Sequence, residues 1–221
     1  MKQSNFLLVV LLLCGGLTAC HRVGEQSVVA EPALLATFKS MPTPDTLHFE
    51  LPEADAVEPP GDTIPNALFF TSLDTAWLRE IDYVADSAEA VVLGKGRFSL
   101  AENYDACLVD IRQSWFRHQS LLVYDKLRHA FTGRVTVAEW YGGEGGQVLT
   151  GSWLLDVDGD GKKDLVRREI EHSLVMQGDD EPLDKTVERA SLLLWKDGRF
   201  VPSPTADSAA LVKRFPIKSA W

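Results

Sequence analysis

The sequence predicts a mainly β protein: an antiparallel meander forming a curved sheet, a small barrel or a sandwich, with a helix ahead of it. Three observations carry this. From Val91 onward, apolar residues fall in short runs with strand-like alternation, as in Val135, Val137 and their neighbours. Turn signals separate consecutive runs, notably Gly142-Gly143-Glu144-Gly145-Gly146 and Lys196-Asp197-Gly198-Arg199. A four-residue period occurs ahead of the strands, at Phe69, Leu73, Trp77 and Ile81.

The helix starts near Pro65, whose fixed φ suits a first turn. Asp74 is placed to cap a restart midway, so two short helices are an open alternative. The strands that follow are expected at residues 91–93, 107–113, 120–124, 134–141, 148–155, 165–174 and 187–195, with Phe200-Val201 after the last turn. Short connections between them imply neighbours that pair in order. Residues 177–185, with Asp179, Asp180, Glu181 and Asp184, read as a solvated acidic loop, and residues 207–215 as a closing helix.

Residues 20–64 read as a tether. They hold Pro32, Pro42, Pro44, Pro52, Pro59 and Pro60, six of the eleven prolines, among scattered acids. Proline removes backbone donors and favours extended chain, which makes a semi-stiff spacer. Leu47-His48-Phe49-Glu50-Leu51 is the one short strand-like run inside it. The division expected is therefore 1–19, 20–64 and a domain over 65–221.

The first residues, MKQSNFLLVVLLLCGGLTAC, combine a basic start at Lys2, an apolar run from Phe6 to Leu13 and small residues after it. That is the pattern of a secretory signal, and the run is shorter than the roughly 20 residues a bilayer span needs. Leu17-Thr18-Ala19-Cys20 resembles the bacterial lipobox. The resemblance implies cleavage before Cys20 and acylation of that cysteine by palmitate-type chains. It implies a lipid-anchored protein of the cell envelope, and His21 after the cysteine points to the outer membrane in a Gram-negative cell. The plain alternative is an ordinary cleaved signal with a chance cysteine.

Removing residues 1–19 takes away one lysine and no acid, leaving 21 basic against 32 acidic residues and a net charge of −11. Such a surface argues against nucleic acid and against basic docking on anionic lipid. Cys14 leaves with the signal and Cys20 carries lipid, so Cys107 stands alone in the apolar run Ala106-Cys107-Leu108-Val109. A buried, inert thiol is expected there, and no internal disulfide.

One motif carries chemistry. Residues 153–166 read WLLDVDGDGKKDLV. Asp156, Asp158 and Asp160 alternate, Gly161 permits a sharp turn, and Asp164 follows. Calcium takes six to eight oxygens, and a loop coiled around it turns alternate side chains inward. The expected ligands are Asp156, Asp158, Asp160, the carbonyl of Lys162, and Asp164. Arg167 stands where an EF-hand has its bidentate glutamate, and the flanks read as strands. The stretch resembles instead the calcium hairpins of FG-GAP and VCBS-type repeats, in which the loop joins two antiparallel strands. A single copy of the loop, with no repeat at fixed period, does not make a propeller. An Asp/Gly-rich turn without metal is the alternative.

No H-E-x-x-H or G-x-S-x-G pattern is present. Trp115-Phe116 and Trp140-Tyr141 are candidate ligand platforms, although aromatics beside strand ends more often complete a core. The expected function is that of a calcium-stabilised, lipid-anchored envelope protein, a non-catalytic binding or assembly module for a protein or glycan. The alternative is a secreted hydrolase of cell-wall or polysaccharide material, which a cleft with paired carboxylates, or a histidine beside a serine, would favour.

Overall fold

The computed structural model describes residues 30–51, 61–79, 81, 89–114, 116–143, 145–175 and 183–218. Ten strands form one open antiparallel sheet. In chain order they are β1 (Leu47–Phe49), β2 (Asp62–Thr63), β3 (Val91–Ala101), β4 (Tyr104–Gln113), β5 (Phe116–Asp125), β6 (Ala130–Gly143), β7 (Gly146–Leu155), β8 (Asp164–Val175), β9 (Leu183–Lys196) and β10 (Arg199–Pro202). From β2 to β10 each strand pairs with the next, and β1 adds to the free half of β7 through Leu47↔Leu154 and Phe49↔Ser152. The β9–β10 turn has positive φ at both Asp197 and Gly198. That backbone matches the twist of the strands it joins.

The sheet is not closed, yet it curls until distant strands share a core. Phe98, Leu121, Val123 and Val137 of β3, β5 and β6 pack in one cluster with Phe49, Leu154, Leu165 and Trp195. Tyr104, at the start of β4, meets Trp195 of β9 edge-on, with ring centroids 5.4 Å apart. A second cluster covers the other side of β3–β5. It joins Val92, Cys107, Val109, Ile111, Leu122 and Tyr124 to Phe69, Leu73 and Ile81 from the helical segment.

That segment is two helices, α1 (Asn66–Ser72) and α2 (Thr75–Arg79). Asp74 makes the break: its side chain accepts from Ala76 N at 2.8 Å and its carbonyl from Trp77 N at 3.1 Å. A closing helix, α3 (Ser208–Arg214), follows β10, and the Asp207 carboxylate caps it through Ala209 N and Ala210 N. Arg168 of β8 holds its far end, donating to the carbonyls of Val212 and Phe215.

The tether expected over residues 20–64 is corrected in its described part. Leu34, Leu35, Phe38, Phe49 and Ile64 are buried, and β1 and β2 belong to the sheet. Burying five large apolar side chains, at about 1.5–3 kcal/mol each, outweighs the local bias of scattered prolines. The prolines still stop the segment from forming long strands. Residues 20–29 and 52–60 lie outside the described residues.

Strand β3 also runs past Leu93, the expected end of the first strand, through Gly94 and Gly96 to Ala101. A Cβ on Gly94 would stand 3.3 Å from Phe38, Ile64 and the Thr37 carbonyl. A Cβ on Gly96 would meet Met41 Sδ at 2.7 Å. These glycines let residues 37–41 cross close to β3, where Met41 N donates to Arg97 O and Arg97 N to Lys39 O. The acidic loop expected at 177–185 falls mainly outside the described residues. Its described end belongs to β9, where Asp184 receives His172 Nε2 at 2.6 Å.

Cys107 is fully buried, and among the described residues it is a free thiol. Burial pushes its pKa up to about 12, so it is an inert thiol at neutral pH. No helix among the described residues is long and apolar enough to cross a membrane.

Candidate metal centre

The loop after β7 starts at Asp156 and ends as β8 begins at Asp164. Strong β pairing on both sides, Leu154↔Leu165 and Leu155↔Asp164, brings its two ends together. Gly159 and Gly161 both have φ of 81°, the left-handed conformation that lets the chain coil back twice in so few residues. The carboxylates then serve as local acceptors. Asp156 takes Gly159 N at 2.7 Å and Gly161 N at 2.9 Å, and Asp158 takes Asp160 N at 3.2 Å.

One carboxylate oxygen from each of Asp156, Asp158 and Asp164 lies within 4.8 Å of the other two. Two oxygens bound to one calcium at about 2.4 Å each stand at most about 4.8 Å apart, so the trio fits a shared ion. Asp156 and Asp158 are exposed, which leaves room for water oxygens to fill a larger coordination shell.

Asp164 ties this loop to the core. It is buried; one oxygen accepts from Trp195 N at 2.9 Å and the other from Val157 N at 3.1 Å. Burial raises its pKa above the ordinary carboxylate value; the two N–H donors pull against that shift, and the charges of Asp158 and Asp160 add to it. Among the described residues no lysine or arginine forms an ion pair with it. A divalent cation beside it would supply the missing positive charge.

The structure does not bring Asp160 into the trio. Its two oxygens face Lys162, one accepting the backbone N–H at 2.8 Å and the other the ammonium at 3.0 Å. The Lys162 hydrogen bond holds the Asp160 carboxyl below its usual range. Lys162 itself remains in the turn, with its side chain committed to Asp160. Sequence spacing missed three supports of the loop: Trp195 N, Val157 N and Lys163, whose ammonium donates to the Asp45 carbonyl at 2.6 Å. Trp195 and Asp45 lie too far away in sequence to leave a mark on a local motif, while Val157 sits inside the motif as one of its spacer residues. Cys20, the expected lipid carrier, lies outside the described residues.

A second constellation lies on β5 and β6. His118 and Ser120 are alternate residues of β5, and Glu139 is opposite His118 on β6. His118 Nε2 lies 2.7 Å from Ser120 Oγ, and Nδ1 lies 3.0 Å from Glu139 Oε1. Arg134 Nη1 donates to both Nε2, at 2.9 Å, and Ser120 Oγ, at 2.8 Å. Arginine can only donate, so Nε2 accepts and Nδ1 carries the proton given to Glu139. This is the tautomer of a general base, but Arg134 competes for its lone pair, and Ser120 is fully buried. Alternation along β5 could have paired His118 with Ser120, but Glu139 needed the strand register. Of the aromatic platforms, Trp140 Nε1 donates to Gln147 Oε1 at 3.4 Å, and Trp115 lies outside the described residues.

No protein-family model matches the chain, and neither a curated protein nor a solved structure matches it significantly.

Proposed function

We propose that this chain is a calcium-stabilised lipoprotein of the bacterial cell envelope, anchored through Cys20 and acting as a non-catalytic binding or assembly module. The convergence of Asp156, Asp158 and Asp164 carries the calcium part of the reading. Its donors are all hard oxygens, which suit calcium over softer metals. Magnesium fits less well, because it demands tight octahedral geometry and keeps its waters. The ion is structural in this reading: it joins an exposed loop to Asp164 and, through Trp195 N, to the core. The Leu17–Cys20 segment supports the anchor. The partner is a protein or glycan, and the acidic composition disfavours nucleic acid.

Two measurements test this reading. Mass spectrometry of the membrane-extracted chain should find it beginning at Cys20 with acyl chains attached. Equilibrium dialysis with radiolabelled calcium should find one ion per chain, lost in Asp158→Ala. An unmodified Cys20, or no bound calcium at millimolar concentration, would reject the corresponding half.

A histidine beside a serine favours a second reading, a hydrolase with Ser120 as nucleophile and His118 as base. A fluorophosphonate probe tests it. Labelling at Ser120 that disappears in His118→Ala would establish it, and an unlabelled native protein would dismiss it.

A further inference from the structure

Strand pairing aligns Ser152 of β7, Arg167 of β8 and Ser191 of β9 in one row. Directly paired residues project to the same face of a sheet, so the Arg167 side chain leaves β8 between two serines. Two residues along each strand in one direction stand Leu154, Leu165 and Leu193, which belong to a core cluster. Two residues along in the other direction stand Thr150, Glu169 and Arg189. The row is therefore the border between apolar core and charged surface.

None of the three side chains has a hydrogen-bond partner among the described residues. Ser152 is fully buried, and its Oγ makes no hydrogen bond. Arg167 is half-buried, yet its guanidinium meets no carboxylate, carbonyl or ring. Other arginines at comparable depth are committed: Arg97 to Asp105, Arg112 to Asp110, Arg134 to His118 and Ser120, Arg168 to Glu188. Glu169 and Glu171, which follow Arg167 on the same face of β8, both accept from Arg189, at 3.0 and 2.9 Å. In a chain with 32 acidic and 22 basic residues, an arginine left unpaired beside the core stands out. A half-buried charge gives up hydration, and only an acceptor brought to it restores the loss.

The row opens into a groove. Arg167, Glu169, Arg189, Ala190, Ser191 and Ser208 line an open volume of about 420 Å³, the size of a small-ligand site. Ser208 Oγ accepts from Ala190 N at 2.9 Å, which ties it to the outer edge of β9 and leaves its hydroxyl proton to donate. Ser191 supplies a second hydroxyl. The uncommitted groups in the groove are thus a guanidinium fork and two hydroxyls, a set that calls for an anionic acceptor with two oxygens.

Two anions have that shape, a carboxylate and a phosphate. A phosphate monoester carries close to two negative charges at neutral pH. The second would face Glu169 in the same wall, and the acidic chain around it. A carboxylate brings one charge, which one guanidinium matches.

We propose that this groove binds an organic carboxylate, held by the Arg167 guanidinium with Ser191 and Ser208 as flanking hydroxyl donors. The site rests on neither the lipid anchor nor the calcium loop.

Nuclear magnetic resonance of the full chain in a zwitterionic detergent tests this, with N-acetylalanine as the probe and the arginine Nε–H and backbone amide signals as reporters. The probe should move the Arg167 Nε–H and the Ser191 amide saturably at millimolar concentration. The neutral N-acetylalanine amide should leave them in place, and inorganic phosphate should bind more weakly than the carboxylate. Arg167→Gln should weaken binding by roughly tenfold or more, the scale of a lost charge-assisted hydrogen bond. Arg199→Gln, which removes an exposed arginine outside the groove, should not. The comparison of acid with amide uses wild-type protein and depends on no variant folding. Equal shifts with acid and amide, or no saturable shift with either, would overturn the site. Phosphate binding more tightly than N-acetylalanine would overturn the carboxylate assignment, and unchanged affinity in Arg167→Gln would overturn the role of Arg167.

Discussion

Removing the Asp164 carboxylate should destabilise the protein even without metal. In Asp164→Ala, Trp195 N loses its acceptor in a buried setting and Val157 N loses one in a half-buried setting. An unsatisfied buried donor costs about 1–3 kcal/mol, so the two together suggest roughly 2–5 kcal/mol. At about 2–4 °C per kcal/mol for a domain of this size, melting should fall by roughly 5–15 °C. The comparison variant is Asp158→Ala, whose carboxylate receives a single exposed N–H at 3.2 Å. Its loss in EDTA should stay under about 1 kcal/mol, as for other exposed polar contacts. Thermal unfolding of both variants in EDTA, followed by circular dichroism, reads the difference. Equal melting of Asp164→Ala and wild type would refute the reasoning, because it would mean that the carboxylate does not join the loop to the core.

Three further outcomes follow from other parts of the molecule. His48 stacks on Trp153 with centroids 3.9 Å apart, and burial lowers its pKa against the opposing pull of Glu50. A lowered folded-state value means its contribution is present above about pH 6.5 and is lost as pH falls through the folded value, so acid should lower Tm less in His48→Phe than in wild type. Cys107, with its thiol pushed up to about 12, should react with a chromogenic disulfide reagent only as fast as the protein unfolds; immediate reaction in the native state would contradict its burial. Gly198→Ala should cost about 2–4 kcal/mol in urea unfolding, from positive φ and a Cβ 2.7 Å from the Tyr104 ring, and a neutral result would show that the β9–β10 turn and β4 can separate freely.

The meander was legible in the sequence because its strands alternate and its turns are short. The helix break at Asp74, the closing helix near residues 207–215 and the buried Cys107 were legible for the same reason: their causes lie within a few residues. What lay hidden depends on partners far away in sequence. The prolines of residues 30–51 spoke for a spacer, and only the sheet supplies the surfaces that Leu34, Leu35 and Phe49 fill. The continuation of β3 through Gly94 and Gly96 depends on residues 37–41, which cross them. In the loop, spacing identified the acids but not the division of labour. Asp164 turns inward because Trp195 N waits there, and Asp160 turns outward because Lys162 lies two residues on. The His118–Ser120–Glu139 set depended on the register of β5 against β6, which a bulge between Gln119 and Ser120 shifts.

The central claim is that a calcium ion held by Asp156, Asp158 and Asp164 stabilises the fold. Its most direct test is the melting temperature of the chain in EDTA and at a calcium concentration about a hundred times the dissociation constant, with Asp158→Ala alongside. A ligand that binds only the folded state adds about 2.7 kcal/mol at that ratio, which raises Tm by roughly 5–10 °C. The account predicts that rise in the wild type and none in Asp158→Ala. Coincident curves for the wild type in EDTA and in millimolar calcium would contradict it and leave the loop as an acidic turn held by its own backbone.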